Sequence, residues 1–147
     1  MFVTKIFTFD AAHALTKYYG KCENLHGHTF SLHVTVEGPV DSNGMVIDFV
    51  VLKRMVKRLV LNKLDHQNLN DHFENPSSEN LVMWAWDQLK DLSVHLQKEL
   101  EDPNLGEDLK AYLKDIENLD RSSGGGVKLY ELKLFEGSNS FVTYRGE

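Results

Sequence analysis

Disulfides are the first thing this sequence cannot make, because its 147 residues contain a single cysteine, Cys22. A secreted module built on a disulfide framework is thereby excluded. Long apolar runs are also missing; the longest are only a few residues, so no segment reads as a bilayer-spanning helix. Met1-Phe2-Val3-Thr4-Lys5 lacks the charged, apolar and small-residue sections of a signal peptide, and a cytoplasmic protein is expected. Nor is there a basic surplus: 16 Lys+Arg stand against 22 Asp+Glu, for a formal charge of -6. Without a basic stripe the chain is not expected to bind nucleic acid.

What is present is a soluble globular composition, 41% hydrophobic and 26% charged, long enough to bury a core as one domain over residues 1–147. The acidity is local. Residues 99–120 hold eight acids and two lysines, which leaves fourteen of each sign elsewhere. Seven histidines are the other surplus.

β-Branched and aromatic residues dominate 2–10, which reads as a strand, and a second strand is expected over 26–37. Met45-Val46-Ile47 is read as a brief pairing segment before Asp48, a helix N-cap. From Phe49 to about Leu61 apolar residues recur at helical spacing, with Lys53, Arg54, Lys57 and Arg58 on a solvated basic face. Pro76-Ser77-Ser78-Glu79 reads as a helix start, and Leu81, Trp84, Ala85, Leu89, Leu92 and Leu96 mark one face of that second helix. A weaker helical pattern follows at Leu109, Leu113 and Ile116, then a Ser/Gly link over 122–126. Strands at 127–136 and 140–145, joined by Gly137-Ser138-Asn139, close the chain. The predicted fold is α+β: an antiparallel four-stranded sheet, two helices packed on one face, and a helical acidic insert at about 97–126. That insert is expected to be a solvated surface excursion.

His26-Gly27-His28 is the first feature with chemistry in it. Residues i and i+2 of a strand point the same way, so both imidazoles face one side. His13, at the end of the first strand, is the third candidate ligand, since pairing of the two strands brings it beside the pair. His33 has the opposite parity and is expected to face away. Three imidazoles leave a fourth position open, the catalytic arrangement; Cys22 as a fourth ligand would instead close a structural zinc site. Asp65-His66 could form an orienting pair for proton transfer, or simply cap a turn. Glu136 ends the penultimate strand, where a carboxylate could grip a planar pair of donors; Glu131 competes for that role.

FDAAH (9–13), CENLHGH (22–28), GMVIDF (44–49), LDHQNLND (64–71), NPSSEN (75–80) and FEGSNSFVTYRGE (135–147) occur in this order. Together they resemble the 6-pyruvoyltetrahydropterin synthase family, and within it the bacterial and archaeal 6-carboxytetrahydropterin synthases of queuosine biosynthesis. The resemblance implies a tunnelling fold (T-fold), with subunits assembled as a homohexamer of two trimers and active sites between subunits. It implies that His13, His26 and His28 hold a catalytic Zn2+, that Cys22 is the general base, and that Asp65 and His66 complete a proton relay from a neighbouring chain. Glu136 would anchor a pterin's amino-pyrimidine edge, with Ser77, Ser78 and Glu79 near the ring. The implied reaction converts 7,8-dihydroneopterin triphosphate to 6-carboxy-5,6,7,8-tetrahydropterin with loss of triphosphate and acetaldehyde.

Two other outcomes stay open: the 6-pyruvoyltetrahydropterin synthase reaction, which eliminates triphosphate but keeps the carbon side chain, and a non-catalytic zinc- or pterin-binding T-fold protein. The three-residue gap between Cys22 and His26 resembles the queuosine branch. Gly137 departs from the family, which often carries Thr after the pterin-gripping Glu. The body outside the insert is electrically even, with Lys17, Lys21 and the basic helix face available to steer an anion.

Overall fold

A computed structural model describes residues 1–111, 113–114 and 126–147. Strand β1 runs from Phe2 to His13 and β2 from His26 to Glu37. They pair antiparallel along their whole lengths, so that Phe9 faces Phe30, Ala11 faces His28 and His13 faces His26. Strand β2 also pairs with β4 (Lys128–Glu136), and β4 with β5 (Ser140–Tyr144), both antiparallel. Alternation puts Phe7 and Phe9 of β1, Phe30 and Leu32 of β2, and Leu132 and Leu134 of β4 on one buried face. Burying side chains of this kind stabilises the fold by roughly 1.5–3 kcal/mol each.

The sheet has five strands, one more than expected. The extra one, β3, is only Gln67–Asn68, and it lies parallel to Ala11–Ala12 at the edge of β1. Two residues carry no periodicity, so the sequence cannot announce such a strand. Its cause is tertiary: the His66 amide donates to the Asp10 carbonyl at 2.7 Å and lays the following residues against β1.

Helix α1 (Phe49–Val56) begins as expected, with the Asp48 carboxylate accepting from the Val50 and Val51 amides. Such a cap contributes about 1 kcal/mol. The helix continues through a π-helical turn, Lys57–Leu61, into the short α2 (Asn62–Leu64). Residues 45–47 do not form the brief strand expected of them; the turn is instead closed by Asp41, whose side chain and backbone bond residues 43–45.

The expected second helix is two. Helix α3 (Ser78–Leu89) starts on Ser77, whose hydroxyl accepts from the Asn80 amide, and α4 (Leu92–Leu100) follows after a break at Lys90-Asp91. Leu92 and Leu96 stay in the same apolar core as Leu81, Ala85 and Leu89, which is why the stripe reads as continuous.

The start of the acidic insert is not a solvated excursion. Glu99 is buried, and its two carboxylate oxygens accept from Arg54 and Arg58 of the α1 stretch, each at 3.0 Å. Arg54 also pairs with Asp102. Leu105 and Leu113 are buried in the core as well. The basic face of the first helix is therefore partly neutralised from within the chain. The helical pattern at Ile116 and the link at 122–125 lie outside the described residues. No described helix is long and apolar enough to cross a membrane.

Candidate metal centre

His13, His26 and His28 converge because of the β1–β2 register. His13 stands opposite His26, and His28 is two residues further along the same face. Ring centroids are 4.7 Å apart for His13–His26 and His26–His28, and 5.2 Å for His13–His28. The imidazoles sit at the end of the core face, each of His13 and His28 packed edge-on against Phe30. His33 faces elsewhere, as its parity requires, its ring tilted against that of Phe135.

Two backbone carbonyls set the tautomers. The Nδ1 of His13 lies 2.7 Å from the Pro76 carbonyl oxygen, and that of His26 lies 2.7 Å from the Asn24 carbonyl oxygen. A carbonyl only accepts, so each Nδ1 carries the proton and each Nε2 presents a lone pair. The Nε2 atoms of His13 and His28 are buried without a hydrogen-bond partner. Orphaned lone pairs of this kind are costly unless something binds them, and three neutral imidazole donors suit a metal ion. Burial is the main reason the pKa of His28 lies below its ordinary value; the Glu136 carboxylate works against it, and the His13 and His26 rings with it. That shift favours the neutral form of the His28 ring, the form a metal ion requires.

Glu136 joins the group. It pairs with Phe30 at the end of β4, next to His28 along the face. The ligand atoms of His13, His26, His28 and Glu136 all lie within 4.8 Å of one another, a cluster that could hold a metal ion. One carboxylate oxygen, Oε1, is 3.1 Å from His28 Nε2, close but misaligned for a hydrogen bond. The other, Oε2, accepts from the Ser78 hydroxyl at 2.9 Å and lies 4.0 Å from His13 Nε2. Glu131 is engaged elsewhere, holding Arg145 through Nε and Nη2 at 2.8 and 2.7 Å.

A cavity of about 310 Å3 opens beside Glu136, lined by Ser77, Ser78, Glu79, Ser140 and Phe141 among others. All three residues expected near a ring therefore line one cavity with Glu136, although Ser77 already serves as the α3 cap. Gly137 has φ +71 with open space around it, so the turn after Glu136 suits glycine, and a threonine there would be strained.

Cys22 and the Asp65–His66 pair stand outside the cluster. Cys22 lies in a 3-10 turn, Lys21–Glu23, half-buried, its carbonyl accepting from the Leu15 amide at 2.8 Å. Asp65 ends α2, and its Oδ1 lies 2.9 Å from His66 Nδ1 while also accepting from the Asp10 amide at 3.1 Å. His66 has φ 57, the one non-glycine residue at positive φ among those described, and its side chain is 78% exposed. His66, but not Asp65, lines an open cleft of about 570 Å3 that also includes Asp10, Thr29 and one member of the cluster, His28.

Sequence reasoning missed the parts contributed by main chain. Pro76 and Asn24 act through carbonyls, which no side-chain pattern reveals. Asn70 is a second omission: its side-chain amide bonds both the N–H and the C=O of Ala14, at 2.7 and 2.9 Å, and fixes the chain just after His13.

The profile of the 6-pyruvoyl tetrahydropterin synthase family matches residues 2–147. A 6-carboxy-5,6,7,8-tetrahydropterin synthase of Haemophilus influenzae is 33% identical over 147 aligned residues, covering 97% of each chain. A 6-pyruvoyl tetrahydrobiopterin synthase of Dictyostelium discoideum is 35% identical over 137 residues, 89% of this chain and 78% of its own. A dihydroneopterin monophosphate aldolase of Pyrococcus furiosus is 46% identical over 83 residues, 56% of this chain and 69% of its own. Among solved structures, the 6-pyruvoyl tetrahydropterin synthase of Caenorhabditis elegans superposes with a TM-score of 0.67 over 100% of this chain and 96% of its own, at 24% identity. That likeness is one of fold, the tunnelling fold expected from the sequence.

Proposed function

This chain belongs to the 6-pyruvoyl tetrahydropterin synthase family, a family of enzymes, and from that premise we propose that it is a zinc-dependent lyase. Its substrate is 7,8-dihydroneopterin triphosphate, and its products are 6-carboxy-5,6,7,8-tetrahydropterin, triphosphate and acetaldehyde. The observation that carries the reading is the convergence of three imidazoles, two of them oriented by backbone carbonyls, with Glu136 beside a cavity of about 310 Å3. The queuosine branch is supported by the Cys22–His26 gap and by the Haemophilus influenzae relative, which matches almost end to end.

Zn2+ held by His13, His26 and His28 supplies a Lewis acid for the oxygens of the substrate's side chain. Everything else falls to the chain. The cavity that Glu79 lines with Glu136 takes the pterin, whose amino-pyrimidine edge offers adjacent N–H donors to a carboxylate, and Ser78 fixes that of Glu136 through Oε2. Cys22 takes a proton from the side chain as general base. Asp65 holds the His66 proton at Nδ1, so that His66 shuttles a second proton through Nε2. Neither member of that pair joins the histidine cluster of its own chain, which favours a relay completed by a neighbouring subunit.

Assembly into a hexamer of two trimers is part of the proposal. It is supported by the sheet face that, among the described residues, no helix covers, where Phe2, Ile6 and Phe141 are each more than half exposed.

A second reading is favoured by the local 46% identity to the Pyrococcus furiosus aldolase: carbon–carbon cleavage of a dihydroneopterin phosphate without elimination of the phosphate. One experiment separates the readings. Zinc-loaded protein is incubated with 7,8-dihydroneopterin triphosphate and the products are resolved by mass. Acetaldehyde with 6-carboxytetrahydropterin is expected. A 6-pyruvoyl product retaining all side-chain carbons, or cleavage leaving phosphate unreleased, would overturn the assignment.

A further inference from the structure

Strand β1 is held on one side by β2 as far as the His13–His26 pair, and on the other by β3 as far as Ala12–Asn68. Ala14 is the first residue beyond both ladders, and it is half-buried. Asn70 supplies the missing partner: its Oδ1 accepts from the Ala14 N–H at 2.7 Å, and its Nδ2 donates to the Ala14 C=O at 2.9 Å. An amide side chain offers a donor and an acceptor side by side, as another strand's main chain would. At the other end of the same segment Asp65 accepts from the Asp10 amide, so residues 65–70 bracket β1 from Asp10 to Ala14. The next residue, Leu15, donates its N–H to the Cys22 carbonyl at 2.8 Å. Cys22 sits in the Lys21–Glu23 turn, which has no buried residue and no side-chain cap at its start. The other backbone hydrogen bonds there, Glu23 to Gly20 and Asn24 to Lys21, stay within the turn. Among the described residues, Leu15 is therefore the backbone tie between the cysteine's turn and the metal strand, and Ala14 places Leu15.

We propose that Asn70 is a positioning residue: by fixing Ala14, and through it Leu15, it sets Cys22 against the cluster of His13, His26 and His28. The assignment rests on the reading of Cys22 as general base given above. His13 itself does not depend on Asn70, because its backbone pairs with His26 and its ring is held by the Pro76 carbonyl. Nor does the chain beyond Leu15 hang free. The Thr16 N–H donates to Asn75 Oδ1 at 3.2 Å, and the Thr16 hydroxyl to the Glu74 carbonyl at 3.1 Å. Removing the Asn70 amide thus loosens Ala14 and Leu15 between two points that stay fixed. The thiol then moves relative to the ligands while β1 keeps its fold. A misplacement of about 1 Å in a reacting group costs on the order of 10²-fold in rate.

The test compares full-length wild type, Asn70→Ala and Asn70→Asp, each metal-free and zinc-loaded. Amide hydrogen exchange over residues 15–23 should be at least about tenfold faster in Asn70→Ala, with residues 3–9 of β1 unchanged. Zn2+ affinity by chelator competition should stay within about threefold of wild type, because no ligand loses its own support. With 7,8-dihydroneopterin triphosphate, kcat should fall by about 10- to 100-fold at little-changed KM, a split that lower stability of a still-folded protein does not produce. Asn70→Asp keeps the acceptor but turns an oxygen toward the Ala14 carbonyl; it should loosen the same residues, and it carries the test if the alanine variant does not fold. Exchange over residues 15–23 at the wild-type rate would overturn the assignment. So would faster exchange with kcat unchanged, the result expected of a purely structural tie. A loss of Zn2+ affinity of about 10- to 100-fold would also overturn it, by making Asn70 a support of His13 instead. Absence of turnover in the wild type would fault the proposed function, and exchange would still decide whether Asn70 holds the cysteine's turn.

Discussion

The imidazole of His13 donates through Nδ1 to the carbonyl of Pro76, 2.7 Å away and sixty-three residues later in the chain. Pro76 immediately precedes the Ser77 cap of α3, so the entry of a core helix and the orientation of a ligand are one structural unit. His13 is 1% exposed. Its ring cannot turn without stranding a buried carbonyl, and its Nε2 is therefore fixed toward His26 and His28.

His13→Ala is expected to lower Zn2+ affinity by at least about 100-fold in chelator competition, since it removes a ligand rather than its support. It should also destabilise the metal-free chain by about 1–3 kcal/mol in urea unfolding, because the Pro76 carbonyl is left unpaired. An unchanged zinc content of one ion per chain would refute the three-histidine centre.

Cys22→Ala should separate binding from chemistry. Cys22 is no member of the ligand cluster, so zinc content and affinity should match wild type. Turnover should fall by about 10²- to 10⁴-fold, the range associated with a lost general base. Full activity in this variant would remove Cys22 from the mechanism; lost zinc would make it a ligand.

The Arg54–Glu99–Arg58 clamp makes an asymmetric prediction. The Glu99 side chain is 4% exposed, whereas those of Arg54 and Arg58 are 33% and 41% exposed. Replacing both arginines by Met strands a buried carboxylate and should cost about 3–5 kcal/mol. Glu99→Gln leaves two guanidiniums able to reach water and should cost about 1–2 kcal/mol. Urea denaturation of the two variants gives the order, and the reverse order would mean the clamp contributes nothing to docking α4.

His95 on α4 gives a pH window. Burial chiefly, and then the Arg58 and Lys98 charges, hold its pKa below the ordinary 6.5, against smaller opposing effects of the Gln88 backbone and Asp91. As pH falls below 6.5 the unfolded chain takes up this proton before the folded chain does, so stability declines. It levels off once the folded ring is protonated too. His95→Gln should flatten the decline of unfolding free energy between about pH 6.5 and 5. It should not abolish it, because His28 and His33 are lowered as well. A variant with an unaltered slope would exclude His95 as a contributor.

Much of this architecture is legible in the residues themselves, where a side chain announces its own role. Parity placed His26 and His28 together and turned His33 away; Asp48 and Ser77 declared their helices; β2 occupies the predicted span. What stayed hidden depends on main chain or on partners distant in sequence. The apolar stripe from Leu81 to Leu96 conceals the break at Lys90-Asp91, because both helices face one core. Glu99 reads as one acid among eight, and only the fold shows that two arginines some forty residues earlier await it. Glu136 is visible as a carboxylate at a strand end, but its place among the histidines follows from the β2–β4 register, which no local pattern encodes.

The β1–β2 pairing has a consequence for folding. These strands are joined by residues 14–25 rather than by a tight hairpin turn, so no local geometry dictates which residue meets which. A slip by one position would turn the imidazoles of the two strands to opposite faces, and a slip by two would separate His13 from His26. An ion that needs all three therefore binds only the correctly aligned pair and stabilises that alignment in proportion to its own affinity. As a metal centre the three-histidine cluster would double as a proofreader of strand alignment: a misregistered sheet could not hold the ion, and a metal-bound chain would already have passed the check.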